Sequence, residues 1–127
     1  GFDQILAISD YISVHTPLTS QTKGLFNAAA FRKMKRGAFF VNTARGALVD
    51  EAALLEALDS GDLGGAALDV VANEPPSGNS PLLHRPNVIL TPHTAFYSVE
   101  ALVELQTKCA ADVARVLSGQ NPIYPAI

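Results

Sequence analysis

Arg45, Glu74 and His93 each follow a short apolar run that predicts a buried β-strand. Ligands of parallel α/β sheets bind beyond the carboxyl ends of the strands, so these side chains meet at one edge if the strands are neighbours. A guanidinium binds a carboxylate through two hydrogen bonds, and an imidazole exchanges protons near neutral pH. A glutamate beside the imidazole fixes its tautomer and favours its protonated form. This set suits oxidation of a 2-hydroxy acid, which needs a carboxylate anchor, a base and a hydride acceptor.

Other chemistries find less support in the sequence. Each of the three residues alone is also typical of an ordinary surface loop, so the argument rests on their occurrence at successive strand ends. There is no Gly-x-Ser-x-Gly nucleophile motif. The single cysteine, Cys109, falls in the middle of a predicted helix, where we expect a buried and inert thiol. No pair of cysteines has the spacing of metal ligands, and no metal site is predicted.

The predicted elements that would position these residues alternate between strands and helices. Four short apolar runs end in polar or Gly/Pro-rich residues, as is typical of βα units around a parallel sheet. The predicted strands are Tyr11–Val14, Ala38–Val41, Ala66–Val70 and Val88–Leu90.

Three predicted helices lie between or after these strands, besides a short amphipathic segment before the first. Asn27 caps a helix whose basic end, residues 32–36, precedes Gly37; the run is interpreted as a solvated helix terminus rather than a nucleic-acid patch. Asp50 is the predicted N-cap of a second helix that stops at Gly61. Apolar residues repeat with helical period over residues 98–118, which predicts one long amphipathic helix.

Composition limits the class of protein. The chain has 127 residues, 48% of them hydrophobic, and a net charge of −3. This is enough for one domain's core, and there is no basic field to hold nucleic acid or an anionic membrane. The first ten residues carry two acids and no basic segment of the kind that begins a leader peptide, and no apolar run reaches the ~18 residues that a membrane span requires. These features predict a cytoplasmic protein without a membrane or nucleic-acid partner.

Four blocks of sequence carry a family resemblance that covers nearly the whole chain. They resemble, in order, the signature blocks of the D-isomer-specific 2-hydroxyacid dehydrogenases. The segment after His93 is most similar to the branch containing the C-terminal binding protein corepressors, in which Trp stands at the position of Phe96. The blocks are HTPLT at 15–19, GAFFVNTARG at 37–46, AALDV at 66–70 with NEP at 73–75, and TPH at 91–93.

The resemblance implies a cofactor, NAD, and a role for each site residue. It implies that Arg45 binds the substrate and acts as an electrophile, that His93 is the acid/base, and that Glu74 is its partner. Phe96 would face the substrate pocket. Along the dinucleotide the family places residues equivalent to Thr16, Thr22, Thr43, Ala44, Arg45, Asp69 and His93, with Asp69 bonded to the nicotinamide carboxamide.

The resemblance also implies a domain organisation. Residues 1–97 correspond to the C-terminal half of a doubly wound, Rossmann-type NAD-binding domain, and residues 98–127 to a long helix and tail that return toward a substrate domain. The family's Gly-x-Gly-x-x-Gly turn is not in the sequence, and Gly61–Gly65 joins a helix to a strand on the wrong side of the sheet to replace it. We therefore expect a fragment of a larger protein, inactive alone, whose family usually forms homodimers through this domain.

Three readings remain open from the sequence. The first is part of an NAD-dependent D-2-hydroxyacid dehydrogenase. The second is a corepressor-like binding protein that senses NAD(H). The third is an isolated half-domain without activity.

Overall fold

The computed structural model describes residues 1–125, which form two compact units. The first unit, Gly1–Ala95, is a four-stranded parallel sheet whose strands lie side by side in chain order, with three α-helices and a 3₁₀ helix at Gly46–Leu48; the second begins at Phe96. This arrangement confirms the predicted α/β fold with a C-terminal helix. In chain order the elements are α1 (Phe2–Ile8), β1 (Tyr11–Val14), α2 (Ala28–Lys33), β2 (Ala38–Asn42), α3 (Glu51–Ser60), β3 (Leu63–Leu68), β4 (Val88–Leu90) and α4 (Val99–Leu117).

The strands end at the same level, which is what brings the loops after them together. Val14 pairs with Asn42, Asn42 pairs with Leu68, and Leu68 pairs with Leu90. All pairings are parallel, so the four loops leave from one edge of the sheet.

The third strand differs from its prediction. It was predicted over Ala66–Val70 but runs over Leu63–Leu68, and therefore contains Gly64 and Gly65. A Cβ on Gly64 would lie 2.6 Å from the Gly37 carbonyl oxygen, and one on Gly65 would lie 2.8 Å from that of Asn87. Glycine is required at both positions because a side chain would overlap the neighbouring backbone, and not because of a turn. Hydrophobic patterning does not predict such positions.

The helix ends follow the capping chemistry in the sequence. The Asn27 side chain accepts hydrogen bonds from Ala29 and Ala30 N–H at the start of α2, and Asp50 caps α3 in the same way. Gly61 ends α3 in the left-handed conformation, with φ 72°. The prediction for α2 was wrong at its other end, because the helix stops at Lys33 and Gly37 instead forms a turn before β2.

The core of the first unit lies between the sheet and its helices. Helix α2 packs against both α1 and α3, and α3 packs against β3. Phe40 of β2 contacts Phe26 and Phe31 edge-on or tilted, with ring centroids 5.0 and 5.4 Å apart. The largest fully buried apolar side chains are Phe31, Phe40, Leu6, Leu48, Leu54, Leu63 and Leu82. Their burial holds the strand ends, and thus the loops, in place.

The second unit consists of α4 and the segment after it. The Ser98 hydroxyl accepts a hydrogen bond from Ala101 N–H, as an N-cap, and Asp112 accepts from Ile123 and Tyr124 N–H. Among the described residues α4 buries none, so Cys109 is exposed and the prediction of a buried thiol was wrong. No helix in the described part of the chain combines the length and apolar character needed to cross a bilayer.

Candidate active site

His93 and Glu74 form the closest contact among the predicted site residues. His93 Nδ1 lies 2.6 Å from Glu74 Oε2, and the two side chains are 42% and 36% exposed. The other carboxylate oxygen, Oε1, accepts a hydrogen bond from Val71 N–H at 3.1 Å. The hydrogen bond with His93 holds the pKa of Glu74 below its usual range, with a smaller contribution from Val71 N–H, against a partial opposing effect of burial. Glu74 is therefore an ionised partner that orients the imidazole through Nδ1.

Asp69 shapes the loop that presents His93. Its buried carboxylate accepts hydrogen bonds from the Thr91 hydroxyl at 2.6 Å, from Thr94 N–H at 2.8 Å and from Ala95 N–H at 2.9 Å. Its backbone carbonyl accepts from His93 N–H at 2.9 Å. His93 has φ 53°, a left-handed conformation that is rare for residues other than glycine, and these bonds offset its cost.

The pKa of Asp69 follows from the same contacts. Burial alone would raise this pKa, because the charged form loses water. The hydrogen bonds from Thr91, Ala95 and Thr94, together with the charge of nearby His93, outweigh burial, and the pKa is lowered. The carboxylate is thus held ionised inside the loop.

Arg45 lies on the loop after β2 and is exposed. Its Nη1 donates a hydrogen bond to the Ala44 carbonyl at 2.7 Å, and within residues 1–125 no hydrogen bond or ion pair joins its guanidinium to Glu74 or His93. The structure therefore brings Glu74 and His93 together, and places Arg45 on the loop of the neighbouring strand.

Asn42 organises the Arg45 loop, a role that was not predicted from the sequence. Its side chain is almost fully buried, donates to the Arg45 carbonyl and accepts from Ala44 N–H, both at 3.0 Å. Its own carbonyl accepts from Asp69 N–H at 2.9 Å, which ties the exits of β2 and β3. The available signal was an Asn at a strand end, since Asn readily bonds the backbone two residues on.

The threonines expected along a dinucleotide differ in their bonding. The Thr22 hydroxyl donates to the Pro17 carbonyl at 2.7 Å and accepts from Thr19 N–H at 2.8 Å, so it closes the loop after β1. Within residues 1–125 the hydroxyls of Thr16 and Thr43 make no hydrogen bond to the protein, and both are accessible at the carboxyl edge. Their role along a dinucleotide stays a prediction.

A mostly apolar cavity of about 510 Å³ opens beside His93 and Glu74. The other residues around it include Pro75, Leu83 and Leu90. Phe96, expected to face a substrate pocket, belongs to the second unit and stacks on Tyr97 with ring centroids 4.3 Å apart. Its role as a pocket residue stays a prediction. Among the described residues, no group of three His, Cys, Asp or Glu side chains could hold a metal ion.

Comparison with known proteins identifies the family. The family model described as D-isomer specific 2-hydroxyacid dehydrogenase, NAD binding domain, matches residues 1–95. The chain belongs to this family, and residues 1–95 match its NAD-binding domain. The family model is that of an NAD-binding domain, in agreement with the predicted cofactor, and the predicted resemblance is confirmed; the corepressor branch stays a prediction.

Individual relatives agree with the family assignment. The chain is 48% identical over 120 residues to glycerate dehydrogenase of Methylorubrum extorquens. This alignment covers 93% of this chain and 38% of that protein. D-lactate dehydrogenase of Lactobacillus jensenii, solved with NAD⁺, superposes with TM-score 0.89 and 32% identity, covering 100% of this chain and 42% of the other.

A third relative was solved with a different nucleotide. The D-isomer specific 2-hydroxyacid dehydrogenase of Xanthobacter autotrophicus, solved with NADPH and MES, has TM-score 0.87 and 37% identity over 99% of this chain and 51% of the other. The chain spans well under half the length of the curated relatives it matches.

Proposed function

We propose that this chain carries the nicotinamide side of the active site of an NAD-dependent D-2-hydroxyacid dehydrogenase. The complete enzyme interconverts a 2-hydroxy acid and its 2-oxo acid. The single observation that carries this proposal is the 2.6 Å contact between His93 Nδ1 and Glu74 Oε2 at the carboxyl edge of the sheet.

In this proposal His93 is the general acid and base. Glu74 occupies the Nδ1 side, so the exchange of a proton with the substrate falls to Nε2. In the oxidation direction Nε2 takes the hydroxyl proton, and the ionised Glu74 stabilises the imidazolium that results. In the reduction direction the same nitrogen returns the proton to the oxygen on C2.

Arg45 binds the substrate carboxylate. Its planar guanidinium can form two parallel hydrogen bonds with a carboxylate, which fixes both the position and the rotation of a small 2-hydroxy acid. Asn42 supports this role by holding the Arg45 carbonyl in place from inside the fold. The charge of Arg45 also polarises the 2-oxo group during reduction.

NAD, when bound, supplies the acceptor for the hydride that leaves C2 of the hydroxy acid. Thr16, Thr43 and Ala44, on the loops after β1 and β2, line the path of the dinucleotide, and Thr22 supports that path by closing the β1 loop. Asp69 bonds the nicotinamide carboxamide with the acceptor capacity that remains on its oxygens. Phe96 faces the substrate side chain.

The proposal extends to the organisation of the protein. Residues 1–97 form the C-terminal half of the NAD-binding domain, and residues 98–127 return toward a substrate domain. The protein is a cytoplasmic homodimer with a small 2-hydroxy or 2-oxo acid as its substrate and no nucleic-acid partner. The net charge of −3 supports the absence of nucleic-acid binding, and the apolar residues exposed along α4 support self-association.

The test replaces His93 by Asn in the complete protein. Asn tolerates the left-handed backbone that His93 adopts, so the variant removes the proton carrier with little strain. We expect the turnover number for a 2-oxo acid to fall by about 10²- to 10⁴-fold while affinity for NADH, measured by fluorescence, stays nearly unchanged. His84→Asn, which changes an exposed histidine in the loop before β4, is the matched control. Wild-type turnover in His93→Asn would remove His93 from the mechanism.

A further inference from the structure

The turn at Val71 and Ala72, just past the end of β3, contacts three parts of the site through its backbone. Its first neighbour is Gly46, the residue directly after Arg45. A Cβ on Gly46 would lie 1.9 Å from the Val71 carbonyl oxygen, 2.0 Å from its carbon and 2.6 Å from Ala72 N. These atoms are backbone and have little room to shift, so only a hydrogen fits between the two loops.

The second neighbour is Glu51, the first residue of α3. Its Oε2 accepts a hydrogen bond from Ala72 N–H at 3.0 Å, 21 residues away along the chain. Asp50 already caps the helix, so Glu51 is available to reach across to the exit of β3. Its negative charge is also favourable in the first turn of α3.

The third neighbour is the Glu74 carboxylate. Val71 N–H donates to Glu74 Oε1 at 3.1 Å, while Glu74 Oε2 contacts His93. The turn that Gly46 and Glu51 hold is thus the turn that orients Glu74. A shift of this turn would move Glu74 relative to His93 on one side and relative to the Arg45 loop on the other.

We propose that Glu51 and Gly46 are positioning residues that hold the Val71–Ala72 peptide and thereby set the Glu74 carboxylate against His93. The catalytic part of this inference rests on the proposed function of His93. Neither residue acts on the substrate. Glu51 supplies a directed hydrogen bond and Gly46 supplies a close backbone contact, which together fix how far the β2 and β3 loops stand apart.

The test compares Glu51→Ala with Glu51→Gln. Both variants remove the charge, but Gln keeps a side-chain oxygen that can accept from Ala72 N–H, so their difference isolates the hydrogen bond. The first measurement is the pKa of Glu74, followed through its side-chain carboxyl ¹³C signal in the 127-residue chain. We expect Glu51→Ala to raise this pKa toward its ordinary value, because Val71 N–H and His93 are less well aligned with the carboxylate. We expect Glu51→Gln to leave it near that of the parent.

The second measurement is steady-state kinetics of the complete protein. A misplaced Glu74 should lower the turnover number of Glu51→Ala by about tenfold, with affinity for NADH unchanged, whereas Glu51→Gln should restore most of the turnover. Glu56→Ala changes an exposed glutamate on the same helix and is the matched control. Gly46→Ala should impair turnover at least as much as Glu51→Ala.

The outcomes separate the two proposals. Equal Glu74 pKa values in Glu51→Ala and Glu51→Gln would overturn the positioning role, irrespective of the turnover numbers of the two variants. Absence of dehydrogenase activity in the parent protein, with the pKa difference present, would overturn the proposed function and leave the positioning role standing. If Glu51→Ala does not fold, Glu51→Asp replaces it: this variant keeps the charge, shortens the side chain, and should raise the Glu74 pKa relative to the parent.

Discussion

At the residue scale, two carboxylates at neighbouring points of the sheet edge have different tasks. Asp69 is buried, and the hydrogen bonds that its carboxylate accepts from Thr91, Thr94 and Ala95 hold the loop, with one acceptor site left on Oδ2. Glu74 is partly exposed and directs one oxygen to the His93 imidazole. Environment and not residue type separates a structural carboxylate from one that tunes an imidazole.

Replacing Asp69 by Asn should destabilise the protein most at neutral pH. The amide has one oxygen acceptor, so at least one backbone N–H of the loop loses its partner, at a cost of about 1–3 kcal/mol. The folded pKa of Asp69 is lowered, so its carboxylate stabilises the fold above its unfolded pKa of about 4, and this contribution is lost as pH falls through the folded pKa. Denaturant unfolding between pH 7 and pH 2 should therefore show that the free energy of unfolding of Asp69→Asn falls less on acidification than that of the parent.

Thr91→Val is the companion variant for this measurement. It removes one of the three donors to Asp69 but keeps the carboxylate and the side-chain volume. Its cost at neutral pH should be smaller, and its stability should still fall on acidification. If the free energy of unfolding falls equally on acidification in the parent and in Asp69→Asn, the carboxylate is not ionised in the loop as described.

At the element scale, β3 is the strand that the site depends on most. It pairs with both β2 and β4, and the loop after it carries Asp69 and Glu74. Two glycines at its start let the backbones near Gly37 and Asn87 come close. The close packing of Gly64 and Gly65 against these backbones helps to set the register of β3. In this register the last residue of β3 pairs with the last residues of β2 and β4.

Gly64→Ala should destabilise the sheet by about 1–3 kcal/mol, because the added methyl group overlaps the Gly37 carbonyl oxygen and the backbones must separate. The free energy of unfolding in urea measures this. Gly78→Ala is the control, since a Cβ there meets nothing within 4 Å and its φ is not positive. That variant should be neutral or slightly more stable, because alanine restricts the unfolded chain. Equal stabilities of the two variants would contradict the close-packing explanation.

At the scale of the whole molecule, each unit exposes apolar surface. In the first unit Tyr11 of the edge strand β1 is 73% exposed and stacks on Phe39. In the second unit α4 exposes Val113 and Leu117, on one side of the helix four residues apart. Unpaired strand edges and contiguous apolar surface both favour association with another copy.

The 127-residue chain should therefore self-associate, with a mass by light scattering at least twice its 13.4 kDa. The double variant Val113→Lys, Leu117→Lys tests α4, and Tyr11→Lys tests the β1 edge. At least one of them should lower the mass toward that of the monomer, because a buried lysine is costly at an interface. Leu18→Lys, on the loop after β1, is the control for a general effect of added charge. A monomeric parent chain would contradict the prediction.

Local sequence patterns were sufficient to predict the positions of the strands and the caps of the helices. The breaks after the apolar runs located all four strands, and Tyr11–Val14 and Val88–Leu90 match their predicted bounds. Asn27 and Asp50 cap the helices that were predicted for them, since capping depends on a few adjacent residues. The combination of residue types at three strand ends also indicated one chemistry, and the four ordered signature blocks indicated one family.

Other features depend on residues far apart in sequence, and only the tertiary structure decided them. Gly46 is required because the Val71–Ala72 peptide lies against it, and Glu51 matters because it reaches that peptide. No local pattern marks either contact. The exposure of Cys109 depends likewise on what packs against α4, which helical periodicity does not show. Sequence patterns specify local conformation and apolar faces, whereas close approaches and long-range hydrogen bonds arise only when the chain is folded.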